Sequence, residues 1–444
     1  LGRHRVTRSF FQLSTLQSRR RNKVRAMSET EQHIEIPDPY SIALDEIDVM
    51  DPLLFHEDKH WRYFERLRQE DPVHLSEREH AGRFWSITKF DDIMAIDTNH
   101  RLFSSAHGIA LGPRVDLNSH AERGAFNMFI STDPPKHDEQ RATVSPVVAP
   151  PNLKLLESTI RERAGVILDA LPIGETFDWV DNVSVELTTQ MLATLFDFPF
   201  EDRRKLTRWS DVVTAGQEEG IVESREEARQ EMLSCLEYFT RLWQERVGKP
   251  GNDLVSMLAN GEATRDMQPY EFLGNLLLLI VGGNDTTRNS ITGGVLALNE
   301  NPVEYEKLRA DHGLAPNMVS EIIRWQSPIA YMRRTANEDC EVRDKQILKG
   351  DQLLMWYISG NRDEDFIPNA NQFQVDRPNA RHHLAFGFGI HRCMGNRMAE
   401  MQLRVLWEEI LKRFETVEVV GEARRNYSTF IHGFRELPVR VHPL

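Results

Sequence analysis

Ten residues limit what this chain can fold into more than any other stretch: Phe386-Gly387-Phe388-Gly389-Ile390-His391-Arg392-Cys393-Met394-Gly395. Two glycines precede a single cysteine and a third follows it. Glycine lets a backbone turn tightly and approach a flat ligand closely. An apolar, helix-forming run comes next, with Met398, Met401, Leu403, Val405, Leu406 and Ile410. A helix starting just after Cys393 would aim amide N–H groups and a positive dipole end at the sulfur, which favours thiolate over thiol. A lone thiolate housed in this way suits an axial ligand to haem iron. Read by itself, the segment is also open to a buried structural cysteine beside a turn.

Residues 268–300 carry the longest helical pattern, with Pro269 near its start and Asn301-Pro302 closing it. Its middle reads Gly282-Gly283-Asn284-Asp285-Thr286-Thr287. Two glycines in a buried helix cost roughly 1 kcal/mol each relative to alanine, and a flat cofactor pressed on the helix would supply the reason. The adjacent acid and hydroxyl, Asp285 and Thr286, are poor core residues but good proton-handling groups. Upstream, Ser131-Thr132-Asp133-Pro134-Pro135 reads as a helix start. It sets His137 and Arg141 on one helical face, which by itself suits a solvated charged face. Glu321 and Arg324, three apart on a helix over 317–325, make an ion pair of a common kind.

Elsewhere the pattern predicts an amphipathic helix over 58–70, a strand over 84–87 and a helix over 90–98. Residues 104–125 have the Gly, Pro, Ser and Asn content of a long, functional loop. Helices broken at Pro172, Gly174 and Pro199 are expected over 153–245. Two strands and a turn follow between Cys340 and Trp356, and a closing hairpin lies near 417–420 and 438–441. Over 444 residues, 40% apolar and 27% charged content suits a globular protein with a large core. Three scattered cysteines, Cys235, Cys340 and Cys393, argue against a disulfide framework or zinc, and for a reducing, cytoplasmic setting. Residues 1–26 hold eight Lys/Arg and no Asp/Glu, so the net charge of −14 becomes −22 over the rest. That argues against nucleic acid as a partner. The basic head is expected to lie outside the native fold, with a transit-like segment as the alternative, leaving 27–444 as a single catalytic domain. No stretch approaches the roughly 20 apolar residues of a membrane anchor.

Phe386, Gly389, His391, Cys393 and Gly395, taken with the motifs at 133–141, 282–287, 321–324, 334 and 361–377, resemble the cytochrome P-450 family in order and spacing. The segments around Asp285 and Cys393 are similar to the bacterial soluble alkane and fatty-acid terminal (omega) hydroxylase branch. The resemblance implies a mainly α fold with small β-sheets, holding haem b between the long oxygen-binding helix and the cysteine-loop helix. It makes Cys393 the iron ligand, and His137, Arg141, Arg334 and His391 donors to the haem propionates. Gly283 would face the haem, and Phe386 and Gly395 would frame it. Asp285 and Thr286 would relay protons to bound O2, and Glu321, Arg324 and Arg377 would support the loop from behind.

The activity implied is a monooxygenase inserting one oxygen atom from O2 into an unactivated C–H bond of an apolar substrate. Terminal hydroxylation of medium-chain alkanes or fatty acids is the expected reaction. Candidate pocket walls are Ile109, Leu111, Val115, Leu278, Leu279, Ile329, Ala330, Tyr331 and Met332, each also compatible with ordinary core. Without a flavin or iron–sulfur segment after residue 444, a ferredoxin with its NAD(P)H-dependent reductase is the expected electron donor, met by Arg392, Arg397 and Arg404. The alternatives are a monooxygenase for terpenoids or sterol side chains and, from a different class, a haem sensor or ligand carrier.

Overall fold

The computed structural model describes residues 36–79, 81–112, 128–214 and 220–444. The basic head 1–26 lies outside them, as do Val115 and most of the loop expected over 104–125. The chain divides into two units, 1–43 and 44–444. In the first, Asp38 caps one turn of 3-10 helix, Pro39–Ser41, by accepting the Tyr40 N–H at 3.0 Å.

The second unit is mainly helical, and Pro269–Glu300 runs through it as one α-helix of 32 residues, roughly 48 Å at 1.5 Å per residue. Pro269 sits at the first turn, where its missing N–H costs nothing. The N-terminal half, through Phe272, Leu276, Leu277 and Ile280, enters an apolar core with Leu192, Phe196, Leu206, Trp209 and Phe239. The C-terminal half, through Ile291, Val295 and Leu298, enters another with Val319, Ile322, Leu403, Leu406 and Ile410. Residues 281–290 belong to neither core. The buried side chains there are polar: Asn284, Asp285, Thr287, Arg288, Asn289 and Ser290. Burying that many polar groups is costly unless each has a use or a partner.

A five-stranded sheet runs, in spatial order, Val73–Arg78, Gly82–Ile87, Gln352–Met355, Met332–Ala336 and Phe103–Ser104. The second and third strands pair parallel and the others antiparallel, and the register sets Arg334 opposite Leu353. Val73, Trp85, Ile87, Leu353 and Met355 share a core with Phe90, Ile93 and Ile96 of helix Phe90–Thr98. The strands 73–78 and 332–336 were not legible in the sequence, because His74, Arg333 and Arg334 are buried where the pattern calls for apolar residues. Phe414–Val419 and Pro438–Pro443 form the expected closing hairpin pair, Val417 opposite Val441. The short strand Phe177–Asp178 joins them in the break around Gly174.

The helix expected after Pro135 spans Lys136–Val144 and has no side-chain cap. Asp133 instead accepts the Ser105 N–H at 3.1 Å and the Ser104 hydroxyl, binding the early loop to the start of that helix. Among the described residues no helix is long and apolar enough to cross a membrane.

Candidate active site

Helix Asn396–Leu411 starts three residues after Cys393 and buries Met398, Met401, Leu403, Val405, Leu406 and Ile410. The backbone N–H groups of Gly395 and Asn396 donate to the sulfur. Cys393 donates its own N–H to the Phe386 carbonyl at 2.8 Å, closing the loop. Gly387 and Gly389 hold φ of +63° and +65°, and a Cβ on Gly389 would stand 2.5 Å from the Asp97 carbonyl oxygen. Both conformation and close approach demand glycine there. Cys393 is solvent-accessible, yet burial is the dominant influence on its thiol and pushes its pKa up. The Gly395 and Asn396 amides, Arg141 and Arg392 pull it back. The residue is thus exposed while its sulfur is held against the Gly395 and Asn396 amides.

Cationic and imidazole groups gather on one side of this loop. The His391 ring stands 4.2 Å from that of His137, centroid to centroid. Its pKa is lowered to about 2, first by burial and then by Arg334, His137, Arg141 and His100. Among the described residues neither ring nitrogen of His391 has a partner, nor does Nε2 of His137 or Nε of Arg334. Burial likewise lowers His137, against the pull of Asp138, whose carboxylate lies 2.7 Å from its Nδ1. Arg141 donates to the Arg392 carbonyl at 2.6 Å. Four of these positions were expected from the sequence; His100 was not. Buried donors left unpartnered beside so many positive groups call for an anion.

Opposite features lie on the long helix. Leu278, Gly282 and Thr286, spaced four apart, form an accessible stripe on a helix otherwise largely buried. The Thr286 hydroxyl donates to the Gly282 carbonyl at 2.9 Å. A Cβ at Gly282 would stand in open space, whereas one at Gly283 would meet Leu192 at 2.9 Å. This corrects the assignment of Gly283 to the cofactor face: Gly283 makes room for helix Glu186–Phe196, and Gly282 shares the open face with Thr286. Asp285 points elsewhere, fully buried against helix Arg204–Thr214. It accepts from the Ser210 hydroxyl at 2.5 Å and pairs with Arg288 at 2.5 Å. Arg288 also reaches Asp211 at 2.7 Å. Burial raises the Asp285 pKa, and Arg288 opposes it.

Two buried networks hold the loop. Glu321 pairs with Arg324 at 2.7 Å and Arg377 at 2.9 Å. Burial pushes its carboxyl up, but the two guanidinium groups hold it below its usual range. Arg324 donates to the Asn361 carbonyl at 2.7 Å, and the Asn361 side chain accepts the Leu384 N–H at 2.7 Å, two residues before Phe386. Phe386 is half-buried and packs on the His383 ring at 5.3 Å. The second network centres on Asp97, which sequence reasoning missed. It accepts from Arg334 at 2.5 Å, from the Tyr357 hydroxyl at 3.0 Å and from the Phe388 N–H at 2.7 Å. Its signal was an acid on the apolar stripe of Phe90, Ile93 and Ile96.

The pocket candidates divide. Ile109, Leu111, Leu278, Ile329 and Met332 remain accessible. Leu279, Ala330 and Tyr331 are corrected to core. Leu279 joins the core around Leu276, Ala330 is fully buried, and Tyr331 packs on Trp356 at 4.7 Å while its hydroxyl accepts the Leu111 N–H at 3.2 Å. Of the three arginines expected to meet a redox partner, Arg392 and Arg397 are exposed. Arg404 is committed to Glu157 and Glu408 at 2.8 and 2.7 Å.

An exposed cysteine, a cluster of donors awaiting an anion and a helix with an open, glycine-bearing stripe fit haem with its two carboxylates. Fold and site together define a haem-thiolate protein. The comparisons agree. The family model described as Cytochrome P450 matches residues 172–431. The chain is 34% identical over 402 residues to linalool 8-monooxygenase of Pseudomonas putida, covering 89% of this chain and 99% of that protein. It is 31% identical over 390 residues to a methyl-branched lipid omega-hydroxylase of Mycobacterium bovis, covering 85% and 90%. The structure of CYP153D17 from Sphingomonas sp. PAMC 26605 superposes with a TM-score of 0.83 at 47% identity, over 90% of this chain and 100% of that one. The chain belongs to the cytochrome P450 family. It is an oxidoreductase, a monooxygenase that uses haem b and O2.

Proposed function

We propose that this monooxygenase hydroxylates the terminal carbon of medium-chain alkanes or fatty acids. The observation that carries this reading is that the accessible pocket candidates are all apolar and none is aromatic: Leu278 on the open stripe, and Ile109, Leu111, Ile329 and Met332 on the loop and strand segments. Similarity to the omega-hydroxylase supports it. Primary C–H bonds are stronger than their secondary neighbours, so terminal attack needs a slot that presents only the chain end.

Haem b supplies the oxygen-activating iron, with O2 as co-substrate. In this reading Cys393 would hold the haem iron through its thiolate, which the Gly395 and Asn396 amides would stabilise. His137, Arg141, Arg334 and His391, joined by His100, hold the carboxylates. Thr286 presents its hydroxyl on the open stripe, where it can hold a water and pass on a proton. Asp285, whose pKa burial raises against the pull of Arg288, sits one residue away as the acid of the relay, and Arg288 and Asp211 link it toward the surface. Electrons come from a reduced ferredoxin, for which Arg392 and Arg397 are exposed cations beside the cysteine loop.

Product analysis after turnover of octane and dodecanoic acid tests the substrate reading; subterminal alcohols alone would sink it. Cys393→Ala should abolish the red-shifted carbon monoxide spectrum of the reduced protein, and its retention would remove Cys393 as the ligand. A second reading, hydroxylation of an acyclic terpenoid, is favoured by the near full-length similarity to linalool 8-monooxygenase. Spectral titration with alkanes, fatty acids and monoterpenes separates the two.

A further inference from the structure

The triplet Asn361-Arg362-Asp363 leaves its middle residue without a task. Asn361 holds the Leu384 N–H. Asp363 accepts the Phe90 N–H at 3.0 Å and pairs with Lys89 at 3.1 Å. Arg362 is 6% exposed, and its Nε has no partner among the described residues. Its guanidinium carbon stands 4.2 Å from the centre of the Trp61 ring and 3.3 Å from that of Trp325. Cation–π contact offsets part of the cost of burying this charge. Arg362 also lines a cavity of about 270 Å³.

The charged groups lining that cavity are two carboxylates, Asp58 and Glu300, and two guanidinium groups, Arg362 and Arg425. Asp58 is already taken, accepting from Arg425 at 2.7 Å and from the Trp61 Nε1–H at 3.0 Å. Glu300 lines the cavity without a direct ion pair to Arg362 among the described residues; burial raises its pKa, and the nearby Arg425 and Arg362 pull it back. Arg425 faces the cavity beside His432. Asp58, His60 and His432 come close enough to suggest a metal. Two guanidinium groups at the same site disfavour a dication, and Arg425 already occupies the carboxylate.

We propose that this cavity binds a small organic carboxylate, held by the Arg362 fork. A guanidinium fork matches a carboxylate in bidentate fashion. The apolar side chains beside the guanidinium favour an organic carboxylate over inorganic phosphate. Leu296, Ala297 and Phe434 supply an apolar wall for the rest of the molecule. The volume falls just under the ~300 Å³ at which drug-sized sites begin, so the occupant is small. Gly293 and Glu300 place the cavity on the last turns of the long helix, beyond Thr286, and none of its lining residues belongs to the haem site. The proposal is therefore independent of which substrate is hydroxylated.

Calorimetric titration of the haem-loaded protein with sodium benzoate, the distal pocket blocked by imidazole, tests it. One-to-one saturable binding is expected, with inorganic phosphate at least tenfold weaker. Arg362→Lys, which keeps the charge but loses the fork, and Leu296→Trp, which fills the cavity, should each weaken binding at least tenfold. Glu300→Gln, which removes the competing carboxylate, should tighten it about threefold. Absence of saturable binding in the wild-type protein overturns the proposal, as does binding that neither Arg362→Lys nor Leu296→Trp alters. Phosphate binding more tightly than benzoate overturns the assignment to carboxylates. Leu296→Trp and Glu300→Gln keep the test decisive if Arg362→Lys fails to fold.

Discussion

Asp97→Asn separates the two duties of the cationic cluster. Asp97 is 1% exposed and Arg334 2%, and the carboxylate is the counter-charge at 2.5 Å from that guanidinium. Removing one partner of a buried pair costs about 3–5 kcal/mol, because the other charge is left uncompensated. Weaker hydrogen bonds to the Phe388 N–H and the Tyr357 hydroxyl add about 1 kcal/mol. The haem-free protein should therefore lose about 4–6 kcal/mol in urea unfolding. In the loaded protein a propionate on Arg334 supplies a replacement charge, so the loss should shrink to about 1–3 kcal/mol, in the range of ordinary charged hydrogen bonds. Urea titrations of both forms, wild type and variant, measure the difference. Equal losses in the two forms would refute Arg334 as a propionate donor. A loss below about 1 kcal/mol in both, the level of one ordinary hydrogen bond, would refute Asp97 as the anchor of the loop.

Thr286→Ala should divert electrons from hydroxylated product to peroxide, and unchanged coupling would remove Thr286 from proton delivery. The two glycines should respond oppositely. Gly283→Leu collides with Leu192 and should destabilise by about 1–3 kcal/mol, whereas Gly282→Leu should fold normally but block the substrate-induced spectral shift; equal stability losses would overturn the assignment of Gly282 to the open face. His432 should make the protein acid-sensitive. Its pKa is lowered to about 3 by burial, with Arg425 and Arg362 facing it and the Gln326 carbonyl 2.6 Å from its Nδ1 opposing; His60 and Asp58 border it as well. The folded pKa lies below the unfolded value near 6.5, so the unfolded chain binds more protons in between. Stability is then fully present above that unfolded value and is lost as pH falls toward the folded one. His432→Gln should abolish about 2 kcal/mol of the loss between pH 7 and pH 5, and an unchanged slope in that window counts against this role.

What the sequence determined by itself is what local geometry dictates. The Gly-rich turn before Cys393, the helix after it and the span of the long helix to Asn301-Pro302 follow from backbone freedom, apolar period and proline punctuation. So do His137 and Arg141 on one helical face, and Glu321 with Arg324 a turn apart. Tertiary structure alone decided which side of each element faces what. Gly282 and Gly283 are equivalent letters, and only the position of Leu192 tells the open face from the packed one. Asp285 and Thr286 are neighbours in sequence yet diverge, because successive residues on a helix point about 100° apart. Asp97 and His100 reach the site across a sheet and a loop far from them along the chain. The vacant fork of Arg362 became visible only once Asn361, Asp363, Asp58 and Glu300 could each be assigned a place. Periodicity reports that a residue is buried; whether a buried charge has a partner depends on contacts hundreds of residues apart, which no local pattern encodes.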